Sequence, residues 1–390
     1  MEALIIFGLI IQWCLIAQLV MPLLLVVSKY VRKTRRRSIG MPYPADYAII
    51  VTAYQQTQQL PSVVDSILKL NYSNYIVYIV ADHCDGQDLF FDPKQVVVLR
   101  PPEVLASNVK SHFYAIRHFK RPHERITIID SDNIVDREYL NELNLIFDKG
   151  YQAVQGVRKA KNLNTPYACL DEAGDIYYRM IDRKLLFEAG SSAALSGSGM
   201  AFTTELYRQC LEEAEINGAG FDKVLQYELL MRNHVIAFTE SAIVFDEKTS
   251  MTGQLVKQRS RWINTWFKYA YLGWKLFGAS LAKPSLNRFW FGLMLLRPPL
   301  FILIGIASIC FVINLFLDAW MAVAWMGGLA VFALTFAYSL YYFKADQKIY
   351  SSLISVPKFI GYQLLALLKA KKANKLSVAT EHYFDKDNHK

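Results

Sequence analysis

Ile126-Thr127-Ile128-Ile129-Asp130-Ser131-Asp132-Asn133 runs four apolar or β-branched residues straight into two carboxylates spaced i, i+2. A continuous β-branched run of this kind predicts a strand covered on both faces, as in a parallel sheet. Ligands of open α/β sheets sit just beyond the carboxyl ends of such strands, where Asp130 and Asp132 fall. Two carboxylate oxygens there suit Mg²⁺ or Mn²⁺, hard cations that take one or two protein carboxylates and leave their other positions to water and substrate phosphate. The competing reading is that the two acids cap the next helix.

The flanking residues build a sheet around that strand. Tyr47–Tyr54 (YAIIVTAY), Ile76–Asp82 (IVYIVAD) and Val96–Arg100 (VVVLR) read as strands, with helices expected over Leu60–Leu70 and Val104–Phe119. Strands alternating with helices make a mostly parallel α/β sheet. Its carboxyl edge then carries Thr52, Ala53 and Tyr54, next Asp82, then Asp130 and Asp132. Neither a Gly-x-Gly-x-x-Gly nor a Walker loop is present, so a nucleotide bound here is held by carboxylates and a metal rather than by a glycine cradle.

Composition and chain ends place this domain at a membrane. Of 390 residues, 53% are apolar, high for a wholly soluble chain. Lys and Arg number 43 against 34 acids, but the net +9 is local. Lys29, Arg32, Lys33, Arg35, Arg36 and Arg37 form one cluster and Lys369, Lys371, Lys372 and Lys375 another, which together exceed the whole imbalance. A nucleic-acid footprint would place a basic stripe on the folded domain itself, so nucleic acid is not an expected partner. Both clusters adjoin apolar segments, as juxtamembrane basic residues do. Residues 3–27 are long enough, at about 37 Å as a helix, to cross a bilayer. A cleaved signal peptide would carry its positive charge ahead of the apolar run, and here the basic cluster follows it. Further spans are expected over about 299–317 and 319–343, while 353–368, with Pro357, Lys358 and Gly361, suits a surface or re-entrant helix. The positive-inside rule puts the soluble domain in the cytoplasm, under the inner or plasma membrane of the cell. The five cysteines, scattered and odd in number, outline neither a disulfide framework nor a zinc spacing.

The order AYQQTQQLPSVVDSIL, VADHCDG, NVKSHFYAI, DSDN resembles the nucleotide-binding half of the family 2 glycosyltransferases, which have the GT-A fold. The second half continues the likeness. LSGSGMAF (Leu195–Phe202) is similar to the family's glycine-rich acceptor segment, and GAGFDKVLQYELLMR (Gly218–Arg232) to its catalytic carboxylate motif. Gln258-Arg259-Ser260-Arg261-Trp262 matches the Q-x-x-R-W signature of the membrane-bound hyaluronan and cellulose synthase-like members. The resemblance covers roughly residues 45–265.

That resemblance implies an inverting transfer of a sugar from a nucleoside diphosphate, a UDP-sugar favoured, to an acceptor hydroxyl. It assigns Ala53, Tyr54, Asp82, Lys110 and Asp130 to the donor nucleotide side and Asp132, with Asp130, to Mg²⁺ or Mn²⁺. Asp222 takes the place of the base that removes the acceptor proton. The residue ahead of it is Phe221, where the family's motif carries an acid, and a helix N-cap is the alternative role for Asp222. Gln258, Arg261 and Trp262, at i, i+3 and i+4, share one helix face and are assigned to diphosphate and acceptor. The same helix, rich in Trp and Tyr with Lys257 and Lys268, also reads as a membrane-surface helix. Lys110 reads equally as a solvated helix charge.

Four other features have simpler expectations. Arg158, Lys159 and Lys161 read as a solvated edge after a strand at 153–157, and Glu172–Phe187 as an amphipathic packing helix. Asp246 and Glu247 are reserve bases that end a strand at 242–245. Arg297 is expected to snorkel to the cytoplasmic face. The expected organisation is a transmembrane helix at 1–28, a basic linker at 29–45, a GT-A domain at 46–262, an interfacial helix at 263–288, two transmembrane helices at 289–343, and an amphipathic segment with a cytoplasmic tail at 344–390. The acceptor is a growing glycan in polysaccharide synthesis, or a lipid receiving a single sugar as in ceramide or polyprenyl-phosphate glycosyltransferases. A silent glycan- or nucleotide-binding scaffold subunit is the reading of another class.

Overall fold

The computed structural model describes residues 2–31, 43–84, 89–216 and 218–370. Most of the basic linker and the polar tail beyond 370 lie outside the described residues. The chain opens with α1 (Glu2–Val31), whose last turn is tied to the soluble domain by Lys29 Nζ to Glu188 at 2.9 Å. β1 (Tyr47–Tyr54), α2 (Leu60–Leu68), β2 (Tyr75–Asp82), β3 (Val96–Leu99), α3 (Asn108–Arg117) and β4 (Arg125–Asp130) follow in alternation. Next come β5 (Ile134–Val135), α4 (Tyr139–Phe147), β6 (Ala153–Ala160) and α5 (Pro166–Tyr178). α5 runs without a break into a π-helical stretch, Arg179–Leu185, and then α6 (Leu186–Glu188). β7 (Met200–Thr203), α7 (Thr204–Leu211), α8 (Phe221–Met231) and β8 (Ile236–Asp246) complete the soluble domain.

The strands form one eight-stranded sheet in the order β3-β2-β1-β4-β7-β6-β8-β5. β3, β2, β1 and β4 are parallel, and β7 runs antiparallel between β4 and β6. Chain order reverses between β1 and β4, which creates the crevice where α/β sheets bind ligands. Register puts Thr52 beside Asp130 and Tyr54 beside Asp82 at that edge. Alternate residues feed two cores. Ala48, Ile50, Ile126 and Ile128 face α3, α7 and α8, whereas Ile49, Val51 and Ile129 face α2 and α4. Burial on both faces is why these strands are nearly unbroken apolar runs.

α3 starts later than the expected Val104. The Asp82 carboxylate accepts the amides of Leu105 and Ala106, at 2.9 and 2.7 Å, and Ser107 caps the helix at Lys110 N. Those bonds hold 104–107 as a loop, because amides given to a side chain do not join a helical ladder.

α9 (Thr252–Ala282) is a single helix of 31 residues, so the expected boundary at 262/263 falls inside one element. It turns into α10 (Leu286–Leu296), α11 (Leu300–Leu317) and α12 (Ala319–Tyr342), and Pro298-Pro299 separates α10 from α11. α13 (Gln347–Ser352), a 3₁₀ turn at Leu353–Ser355 and α14 (Val356–Lys369) close the described chain. Four stretches, Ile6–Val31, Leu300–Leu317, Ala319–Tyr342 and Gln347–Lys369, are long and apolar enough to cross a membrane, one more than expected. Pro357 does not break the last, since it occupies the first turn of α14, where its missing N–H costs nothing. α14 lies along α9 and α5, with Phe359 against Leu255 and Leu170 and Ala366 against Ile263.

Candidate active site

Outside the carboxyl edge of the sheet lies a cavity of about 1740 Å³, bounded by β4, α5 and its π-helical extension, α8, α9 and the helices from α10 onward. Asp130 and Asp132 enter it from the end of β4. The loop Ser196–Gly199 fixes that end: Ser198 Oγ accepts the Asp130 amide at 3.1 Å and donates to Asn133 Oδ1. Gln155 ties the same loop to β6 through Ser196 N at 3.0 Å and Gly199 O at 3.1 Å. The glycine-rich segment is therefore packed against the acidic pair.

Two guanidinium groups stand opposite the carboxylates. Burial pushes Arg261 down from the ordinary arginine range, with the Asp130 charge acting against that shift. For Arg158 burial also opposes the charge, but Asp246 in first place, then Asp130, Asp175 and Asp132, raise it above its ordinary value. Among the described residues no group of three His, Cys, Asp or Glu forms a metal cage. A pair of acids lining a cavity instead suits a cation that completes its shell with water and phosphate oxygens, so Asp130 and Asp132 could hold Mg²⁺ or Mn²⁺.

Asp222 reaches the same cavity from the first turn of α8. It is not the cap: Gly220 occupies that position with φ 100°. A Cβ there would fall 2.5 Å from Tyr269 Cε2 and 2.7 Å from Thr265 Cγ2, so only glycine lets this loop close against α9. Lys223 Nζ lies 3.6 Å from Asp222 Oδ2. Phe221, the departure from the acidic motif, is buried with its ring centroid 5.3 Å from that of His112. Its side chain serves the core and leaves the carboxylate facing the cavity.

Gln258, Arg261 and Trp262 all line the cavity from α9, as do Trp266 and Tyr269 further along. Gln258 Oε1 accepts from Thr249 Oγ1 at 3.0 Å, and the Trp262 ring is covered on one side by Arg259, 4.5 Å from its centroid. Phe267, Tyr271 and Trp274 point outward, so the helix divides into a cavity face and an exposed aromatic face.

Tyr54 is also in the wall, whereas Ala53, Asp82 and Lys110 are not. Ala53 is buried in the core beside α2, the Asp82 oxygens are taken by backbone amides, and Lys110 is exposed on α3.

The sequence reading missed a buried ionic lattice beside the cavity. Glu172–Phe187 is no simple packing helix: Glu172 pairs with Arg179 at 3.0 Å and Asp175 with Lys248, and just ahead of it Asp171 pairs with Arg259. Arg158 is not a solvated edge either but pairs with Asp246. Asp246 is desolvated, which raises its carboxyl, yet Arg158 and Lys248 together hold it below the usual range, so it is spent as a base. Arg297 does not snorkel: it is buried and bonds both Asp182 oxygens at 2.6 and 2.7 Å. Clustered opposite charges in 171–183 are the one signal that could have revealed the lattice. The partners lie up to 115 residues away, beyond any local pattern.

Residues 44–265 match the family described as glycosyltransferase like family 2. The chain belongs to that family. Among solved structures, this glycosyltransferase is similar to the mannosyltransferase PcManGT from Pyrobaculum calidifontis, which was solved in complex with GDP-Man and Mn²⁺. Identity is 15% over 93% of this chain and 99% of that one, with a TM-score of 0.53, a likeness of fold. Residues 1–349 of S. aureus TarS match at 13% identity, covering 84% of this chain and 90% of that one, with a TM-score of 0.41. The same fragment in complex with UDP-GlcNAc matches at 11%, with the same shares and a TM-score of 0.43. No curated protein matches the chain.

Proposed function

We propose that this glycosyltransferase moves a sugar, with inversion, from a nucleoside diphosphate sugar to an acceptor hydroxyl at the cytoplasmic face of a membrane. The observation that carries the reading is that Asp130, Asp132 and Asp222 open into one cavity with Arg261. Asp130 and Asp132 would hold Mg²⁺ or Mn²⁺, which would supply positive charge against the departing diphosphate. Arg261 directs its guanidinium group to the diphosphate oxygens. Asp222 accepts the proton as the acceptor oxygen attacks. The new bond forms from that oxygen to the anomeric carbon, and the bond to the diphosphate breaks with its electron pair passing to phosphate. Trp262 offers its free ring face to a sugar. Tyr54 lies at the nucleotide end, and a UDP-sugar is the favoured donor. Asp82 acts there by hanging the 104–107 loop beside the nucleotide.

Sidedness rests on the positive-inside rule applied to the basic residues after α1. Membership of the membrane-bound synthase-like branch rests on Q-x-x-R-W. Extension of a glycan and transfer to a lipid share this chemistry, and one observation favours the lipid: the cavity continues between apolar side chains of α11 and α12. The test is a screen of nucleotide sugars against membranes containing the full chain with Mg²⁺ or Mn²⁺, reading nucleoside diphosphate release. Release that Asp132→Ala abolishes is expected; equal release from both proteins contradicts the reading.

A further inference from the structure

Beyond the acidic pair the cavity has an apolar arm that takes no part in the bond-making step itself. Its walls are Leu300, Phe301 and Ile304 from α11 and Phe332 and Phe336 from α12. It reaches Ser308, eight residues into α11, a depth of about 12 Å. The Ser308 hydroxyl is spent on Ile304 O at 2.9 Å. A glycan threaded here would bury hydroxyl groups with nothing to bond them, which is costly, whereas a hydrocarbon chain loses nothing.

Arg183, on the π-helical stretch, lines the same cavity. Its Nε donates to Ala194 O at 3.3 Å. Among the described residues its two terminal nitrogens make no hydrogen bond. The acids nearest to it are already engaged, Asp175 by Lys248 and Asp182 by Arg297. Burial pushes the Arg183 guanidinium below its ordinary range, the behaviour of a cation that gains from an incoming anion. A guanidinium fork presents two parallel donors, the geometry that phosphate accepts.

Building on the glycosyltransferase reading, we propose that the acceptor is an anionic amphiphile in which a phosphate links a hydrocarbon tail to a hydroxyl-bearing head. The tail lies between α11 and α12, the phosphate on Arg183, and the head hydroxyl extends to Asp222. A polyol-headed glycerophospholipid and a polyprenyl diphosphate sugar both have this chemistry.

The full chain in phosphatidylcholine nanodiscs, doped in turn with phosphatidylinositol, an undecaprenyl diphosphate sugar, undecaprenyl phosphate or diacylglycerol, is read by native mass spectrometry for retained lipid. Retention of phosphatidylinositol or of the diphosphate sugar over diacylglycerol is expected, and whichever is held identifies the source. Arg183→Gln lowers it roughly tenfold or more. Gly305→Phe, at a position in the wall where a Cβ meets nothing within 4 Å, blocks the arm and lowers retention too. Retention of diacylglycerol equal to theirs, or retention untouched by both substitutions, overturns the proposal. Equal retention of undecaprenyl phosphate overturns the hydroxyl-bearing head. Binding of UDP and GDP with Mn²⁺ on the same nanodiscs tests the glycosyltransferase reading separately, and a variant that has unfolded loses both signals.

Discussion

Asp222 stands one residue inside α8, behind a glycine that no other residue can replace without moving Tyr269. In the proposed role of base it would act on the proton, not on the donor. Asp222→Asn is expected to lower the rate of transfer by roughly 10²–10⁴ while nucleotide affinity changes little, as steady-state kinetics on membranes will show. Gly220→Ala combines a left-handed backbone with a 2.5 Å contact and is expected to cost about 1–3 kcal/mol in thermal denaturation. Behind them His112 is fully buried, its Nδ1 2.7 Å from the Tyr207 hydroxyl, and burial pushes its imidazole from 6.5 down to about 3. The unfolded chain then takes up a proton that the folded one refuses. Stability from this group is complete above about pH 6.5 and drains as the pH falls toward 3, by about 1.4 kcal/mol per unit. His112→Gln should therefore lose less stability than the parent between pH 7 and pH 5; an equal loss in both would contradict the assignment.

Among the elements, the extension of α5 carries the most charge and was the least legible. β1, β2 and β4 could be placed to within a residue, because strands buried on both faces write their limits as β-branched runs. β7 has four residues and β5 two, too short for any period to register, and β8 was recognised only at Ala242–Phe245 because Thr239-Glu240-Ser241 interrupts its apolar pattern. Asp182 was read only as part of an amphipathic packing helix and Arg297 as snorkelling; the burial of both depends on partners brought in by the fold. The acidic pair and Gln258-Arg261-Trp262 could be placed because neighbours in sequence carry them. Arg183 could not, since only the cavity distinguishes it from the arginines around it. The Arg297–Asp182 pair, which joins the start of α11 to the π-helical stretch, gives a direct test. Arg297→Met alone leaves a buried carboxylate and should cost about 3–5 kcal/mol in thermal inactivation. Adding Asp182→Leu should restore most of that loss.

At the scale of the whole molecule, the soluble domain and the apolar helices share their packing. Met21 and Leu25 of α1 join the core beneath the sheet, while Ile16 and Leu19 pack on Leu303, Ala307 and Trp325. Gln12 Oε1 accepts from both Asn314 Nδ2 at 2.8 Å and Trp325 Nε1 at 2.9 Å, a polar clasp among three apolar helices. Gln12→Leu removes it and should loosen α1 by about 1 kcal/mol, measurable as faster inactivation in detergent. The same arrangement sets the switch point of the sheet beside the long apolar helices, so that one cavity reaches both. Whether that cavity is a donor site is answered most directly by the structure of the full chain with UDP or GDP and Mn²⁺, located by anomalous scattering. The account predicts one Mn²⁺ on Asp132 and the diphosphate, facing Arg261, with Asp222 open to the sugar side; Mn²⁺ and nucleotide bound outside this cavity would contradict it.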